Sequence, residues 1–235
     1  SVDHIENTLP AFEDALKKDE YKFIEFDILY TKDKQIVVHH DLTLLRTQEK
    51  LDSIGDLTYD ELLNISDYYI PTYKEVMDLV AGKKPVNIEI KSQGNLTDDK
   101  IMTDFIVQDT KDRGIFASTL FSSVQSDVVK YFSEKYPDAD TGKVYYVTYS
   151  SFLNFDTFIS EIYQEMDRID ADYLMLHASN LKTYDLLKRT KPLDKTIVFW
   201  YFDDKVYIVE PPQKSWILSL GKVTYQPRKI CLWWC

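Results

Sequence analysis

Two cysteines, Cys231 and Cys235, are the whole thiol inventory of this 235-residue chain, and both stand among its final five residues. They supply no disulfide framework and no cysteine-rich metal site, so stability must come from a hydrophobic core. Long apolar runs are missing as well. None approaches the roughly 18 to 20 residues of a bilayer-crossing helix, and Ser1 does not open a signal peptide. An initiator Met is also absent, which leads us to expect a processed or trimmed piece, soluble as it stands, with any signal or membrane segment lying upstream. Nor is there an excess of positive charge. Against 28 Lys plus Arg stand 39 Asp plus Glu, a net charge of -11, which leaves no electrostatic footprint for nucleic acid or an anionic membrane. An anionic small molecule stays compatible, because a bound divalent cation reverses the local field inside an acidic site.

What is present points to an α/β fold. With 44% hydrophobic residues, a chain of this length has enough apolar mass for one large core, and single-domain α/β barrels commonly fall in this size range. One domain spanning 1–235 is therefore expected. From Tyr21 onward, short β-branched or aromatic runs alternate with helical segments, the pattern of βαβ units and a parallel sheet. Seven strand candidates follow: Lys22 to Leu29, Val86 to Lys91, Ile115 to Phe121, Lys143 to Tyr149, Asp172 to Ala178, Thr196 to Phe202 and, more weakly, Lys222 to Tyr225. Seven is one short of a closed (β/α)8 barrel. Thr58 with Glu61, and Thr72 with Glu75, fit capping boxes, and Gly82 is placed to end the second of those helices. Apolar spacing predicts further helices over Thr97 to Asp112, Ser126 to Lys135, Asp156 to Ile169 and Leu181 to Arg189. No internal repeat, linker or low-complexity stretch is visible.

One place breaks the alternation. The segment Thr31 to Gln35 is too short for a parallel crossover, yet Ile36 to His40 again reads as a strand, so that pair must be an antiparallel hairpin. Folding back, it carries His39 or His40 toward Glu25 and Asp27, and a one-residue slip decides which.

The chemistry is concentrated on two strands. In Phe23 to Ile28 the period of two puts Glu25 and Asp27 on one face and Ile24, Phe26 and Ile28 on the other. In Val86 to Lys91 it likewise separates Asn87, Glu89 and Lys91 from Val86, Ile88 and Ile90. If the apolar sets face the helices, three carboxylates and one lysine point inward, where unpaired ionised groups are costly without a cation or donor. Oxygen-only ligation by Glu25, Asp27 and Glu89 suits Mg2+ or Ca2+ better than zinc, and a nearby histidine supplies an acid or base near neutral pH. The plainer alternative is a solvated strand face with Glu89 paired to Lys91. It is favoured for an isolated Glu-x-Asp, but recurrence on two buried-looking strands reverses the preference.

The run Glu6-Asn7-Thr8-Leu9-Pro10-Ala11-Phe12, then Ile24-Glu25-Phe26-Asp27, Thr31-Lys32-Asp33, Val37-Val38-His39-His40-Asp41, Leu44, Arg46 and Thr47, closely resembles the glycerophosphodiester phosphodiesterase family in order and spacing. Ile70 to Val76, Asn87 to Lys91 and Val198-Phe199-Trp200 extend the likeness, which is dense to about Lys91 and thins beyond. The resemblance implies a metal-dependent TIM (β/α)8 barrel with a small insertion after its second strand, at about 41–71, hydrolysing glycerophosphodiesters to glycerol phosphate and an alcohol. It implies that Glu25, Asp27 and Glu89 hold one divalent cation, Mg2+ or Ca2+, and that His40 is one of two acid–base histidines. Lys91 would meet the phosphate and Trp200 the glycerol moiety. Glu6 would be a supporting residue at the top of the barrel rather than a ligand.

Two departures stand beside it. The family's first strand, ending in His-Arg-Gly with the other histidine, is absent from the chain, and His4 does not replace it. The usual late Gly-x-Asp-Gly strand is replaced by Leu220 to Pro227. A catalytically silent binding barrel, or a related phospholipase or sphingomyelinase-D-like enzyme, is the alternative; the segment Asp41 to Pro71 argues against the latter. Pro137 to Lys143 resembles members whose domain follows a membrane region, which mildly favours an extracytoplasmic location over a cytoplasmic one, with membrane contact only through an upstream region. For Tyr145-Tyr146, His177 and the tail Ile230 to Cys235, packing roles are the simpler expectation.

Overall fold

The computed structural model describes residues 4–19, 21–147, 155–201 and 206–209. The described residues divide into two compact units, one up to Thr119 and one from Leu120 onward.

In the first unit, α1 (Leu9–Lys17) starts with Pro10 in its first turn, where a missing N–H costs nothing, and buries Ala11, Phe12 and Ala15. Strand β1 (Ile24–Tyr30) is buried along its full length. The hairpin is antiparallel as expected: β2 (Ile36–Val38) pairs Ile28 with Val38 and Tyr30 with Ile36. Its turn is closed by Thr31, whose hydroxyl accepts from the Gln35 N–H at 3.0 Å, with Lys34 at φ 64°. On the other side of β1 runs β3 (Val86–Ile90), parallel, with Glu25 opposite Asn87 and Asp27 opposite Glu89.

Between β2 and β3 the expected insertion is a small folded unit. It contains the four-residue helix α2 (Leu45–Gln48), a 3-10 turn over Ile54–Asp56 and α3 (Tyr59–Ile65), and is followed by α4 (Tyr73–Val80). Leu44, Ile54, Leu62 and Ile70 pack with Leu29 and Val37, so the insertion shares a core with the hairpin. Both capping boxes form: Thr58 accepts from the Glu61 N–H and Thr72 from the Glu75 N–H, while each glutamate returns to the cap N–H at 2.8 Å. Phe26, on the apolar face of β1, meets Phe12 of α1 and Tyr73 of α4, with ring centroids 5.9 and 6.4 Å away. That contact fixes which face of β1 is turned to the helices. The unit closes with α5 (Leu96–Asp112), capped by Asn95.

The second unit continues the alternation: β4 (Thr119–Ser123), α6 (Ser126–Lys135), β5 (Asp140–Tyr145), α7 (Phe155–Ile169), β6 (Tyr173–His177), a 3-10 segment over Ala178–Thr183, α8 (Tyr184–Arg189), β7 (Thr196–Tyr201) and β8 (Val206–Val209). Strands β4 to β7 are parallel neighbours and β8 returns antiparallel on β7. Leu174, Leu176, Ile197 and Phe199 pack on Ile159, Ile162, Tyr163 and Met166 of α7 and on Leu187 of α8.

Several strands differ from expectation. Ile115 to Ser118 is a turn and not strand, because the Ser118 and Thr119 hydroxyls both donate to the Ile115 carbonyl at 3.0 Å. Strand β5 starts three residues early, drawn into the ladder by Asp172, whose carboxylate accepts from the Thr141 N–H at 2.9 Å. The run Val206–Val209, not foreseen, begins only four residues beyond β7, too few for a parallel crossover, and pairs with it antiparallel. The candidate strand Lys222 to Tyr225 and the tail with Cys231 and Cys235 lie outside the described residues. No helix among the described residues is long and apolar enough to cross a membrane.

Candidate functional site

Because β1 and β3 are parallel and in the register given above, the alternation that turns Phe26 outward turns Glu25, Asp27 and Glu89 to one common side. One carboxylate oxygen from each lies within 4.8 Å of the others, and all three residues are buried. Lys91, one residue beyond β3, sends its ammonium between two of them, 2.9 Å from Asp27 Oδ1 and 2.6 Å from Glu89 Oε1. Asp27 Oδ2 accepts from the Asn7 side-chain amide at 3.0 Å. Glu25 differs from both: neither of its oxygens has a hydrogen-bond partner, and both are buried.

The electrostatics match this arrangement. Burial, then the charges of Asp27 and Glu89, push the Glu25 carboxyl well above the usual range. Burial also raises Glu89, against the opposing pull of Lys91. Three carboxylates against one ammonium leave a deficit of two positive charges in a buried place. The donor set is all oxygen, which fits a hard divalent cation, and the partnerless Glu25 is the group such an ion would satisfy. Glu25, Asp27 and Glu89 therefore fit a cation site.

The two histidine rings take different surroundings. The ladder ends where the His39 N–H donates to the Asp27 carbonyl at 3.0 Å. The His39 ring is turned to the insertion, with Nδ1 2.9 Å from the Asp41 carbonyl and Nε2 3.4 Å from Thr47 Oγ1, and burial holds its pKa below the ordinary value. The His40 ring lies within the field of Asp27, Glu89 and Lys91. Burial works to lower its pKa, but the Asp27 charge and a 2.7 Å bond from Nδ1 to Asp41 Oδ1 outweigh it and raise the pKa.

Residues without an assigned role in the sequence reading complete the surroundings. Asp41 is held by Arg46, whose Nε is 2.6 Å from Oδ2. Arg46 also donates through Nη2 to Glu6. Asn7 supports Asp27 from a left-handed backbone at φ 57°, a conformation asparagine tolerates better than most residues. It stands directly before Thr8, the residue that precedes α1. Trp200 belongs to the second unit, where its ring stands 5.1 Å from both Tyr146 and His177 in edge-to-face geometry. Its reading as a glycerol contact stays with the resemblance.

Comparison with known proteins follows the same direction. A family model described as the glycerophosphoryl diester phosphodiesterase family matches residues 1–208. Human lysophospholipase D GDPD1 is 35% identical over 115 residues, covering 42% of this chain and 36% of that protein. A glycerophosphodiester phosphodiesterase of Caldanaerobacter subterraneus subsp. tengcongensis is 37% identical over 98 residues, covering 37% of the chain and 40% of the relative. The first curated relatives are thus matched over 36% to 55% of their own length. Among solved structures, the glycerophosphodiester phosphodiesterase of Thermotoga maritima gives a TM-score of 0.63 at 25% identity, over 86% of this chain and 82% of that one. An Oleispira antarctica phosphodiesterase, solved in complex with the product sn-glycerol-3-phosphate, gives 0.66 at 18% identity, over 97% and 87%. These neighbours are TIM barrels, and the α/β fold class of the chain is theirs.

Proposed function

The chain belongs to the glycerophosphoryl diester phosphodiesterase family, and from that premise we propose that it hydrolyses a glycerophosphodiester to glycerol phosphate and an alcohol with the help of one divalent cation, Mg2+ or Ca2+. The observation that carries this reading is the buried, partnerless Glu25 carboxylate beside Asp27 and Glu89. A bound cation there supplies Lewis-acid polarisation of a phosphoryl oxygen and offsets developing negative charge. Glu25, Asp27 and Glu89 hold it. Lys91, already fixed between Asp27 and Glu89, adds a second positive charge for an anionic phosphodiester. His40 moves a proton at its ring between nucleophile or leaving group and the site, in the role the family likeness assigns to it.

The test is turnover of glycerophosphocholine and lysophosphatidylcholine by the purified protein with Mg2+, Ca2+ or a chelator. Cation-dependent release of choline supports the proposal, and the ratio of the two substrates tells whether an acylated glycerol is accepted in place of free glycerol. Cation-dependent substrate binding without any turnover would move the reading to a silent binding barrel.

A further inference from the structure

We infer that Glu6 and Arg46 are positioning residues for the acid–base histidine: together they hold Asp41 against Nδ1 of His40, which assigns proton exchange to Nε2. The inference rests on the reading of His40 given above.

The contacts form one unbroken line. Glu6 accepts from Arg46 Nη2, Arg46 Nε donates to Asp41 Oδ2 at 2.6 Å, and Asp41 Oδ1 lies 2.7 Å from His40 Nδ1. Glu6 is 16% exposed, and from Arg46 inward exposure falls from 49% to 24% at Asp41 and 13% at His40. An exposed pair alone contributes little. Here one planar guanidinium spans two carboxylates, from the segment before α1 and from the turn after β2, and a lysine, as a point donor, does not reproduce that fork. Against its burial, the hydrogen bond and charge of His40 and then the charge of Arg46 hold the Asp41 carboxyl down at about 2. It is therefore ionised near neutral pH. An ionised acceptor at Nδ1 selects the neutral tautomer with the proton on Nδ1. The same short segment reaches the other half of the site, since Asn7, next to Glu6, donates to the cation-site residue Asp27. Residues 6 and 7 thus brace both the histidine and the carboxylates from one piece of backbone.

The experiment reads the His40 tautomer directly by long-range proton–nitrogen NMR of the full chain at a pH where the ring is neutral, with His40→Gln assigning the signal among the four histidines. Wild type should show the Nδ1–H form. Arg46→Gln, Arg46→Lys and Glu6→Gln should shift it toward Nε2–H, and kcat on glycerophosphocholine should fall roughly 10- to 100-fold, with KM and cation affinity held within about twofold. An unchanged tautomer in folded Arg46→Gln, or activity as high in Arg46→Lys as in wild type, overturns the inference. If Arg46→Gln does not fold, Glu6→Gln decides by the same signal. Should wild type prove inactive, the proposed hydrolysis fails by itself, while the tautomer measurement still decides between a positioning pair and a surface ion pair.

Discussion

Replacing Glu25 by Gln should have opposite effects on the protein with and without its cation. The wild-type carboxylate is fully buried and partnerless, with two other carboxylates near it and its pKa raised. In the metal-free protein it either stays an uncompensated buried charge or takes up a proton, and both cost stability. The carboxamide keeps the shape, removes the charge and donates to its neighbours, so the metal-free variant should be more stable by about 1 kcal/mol or more, roughly 2–4 °C in Tm for a chain of this size. With Mg2+ or Ca2+ at about 100 times Kd, wild type should gain about 2.7 kcal/mol, or roughly 5–10 °C, and the variant much less. Differential scanning fluorimetry after chelation and over a cation titration measures both effects. The reasoning fails if the metal-free variant melts below wild type, or if cations raise both melting points equally, because either result means that the Glu25 oxygens are satisfied by protein groups.

His40→Ala should lower turnover of glycerophosphocholine by roughly 10^2- to 10^4-fold while leaving the cation-induced Tm rise intact, since the ring supplies a proton and not a ligand; full activity would exclude the role. Asp41 has a folded-state pKa of about 2, below its unfolded value of about 3.9, so its stabilisation is complete above that value and disappears as pH falls through about 2. Asp41→Asn should therefore flatten the loss of stability between about pH 4 and pH 2, and an identical acid unfolding curve would contradict the ion pairing. At Gly142 a Cβ would stand 2.8 Å from Met175 Sδ and 3.2 Å from the Ser122 Cβ. Gly142→Ala is eased by movement of the Met175 tip, whereas Gly142→Val presses on the neighbouring strand and should cost roughly 1–3 kcal/mol in urea unfolding.

Much of the fold was legible because its signals are local. A capping box spans four residues, so Thr58 with Glu61 and Thr72 with Glu75 could be read from the sequence and recur as bonds. A helix such as Ser126–Lys135 is bounded by its own periodicity and by Pro137. Strand ends depend on partners distant in sequence. Thr141 joins β5 because Asp172 accepts from its N–H, and nothing within a few residues of Thr141 announces a carboxylate 31 positions away. The hairpin β7–β8 was hidden for a related reason: Val206–Val209 has strand composition, but its direction is decided by the ladder on β7.

The site divides along the same line. Parity within β1 and within β3 is a property of each strand, so the shared face of Glu25 and Asp27, and that of Glu89 and Lys91, follow from a period of two. Register is not, yet here it was constrained: slipping β3 by one residue would turn Ile88 and Ile90 into the carboxylate face and strand Glu89 among the helices. The hydrophobic pattern thus selects the alignment that assembles the charges. No such rule reaches Arg46 and Glu6. They lie 40 positions apart, one in a short helix and the other in a turn, and neither is buried by a periodic face. Their meeting depends on the insertion folding against β1 and β2 through Leu44 and Ile54, which brings Arg46 over the end of the hairpin. The packing of the insertion is therefore what brings Arg46 to both Glu6 and Asp41, and so sets Asp41 against Nδ1 of His40.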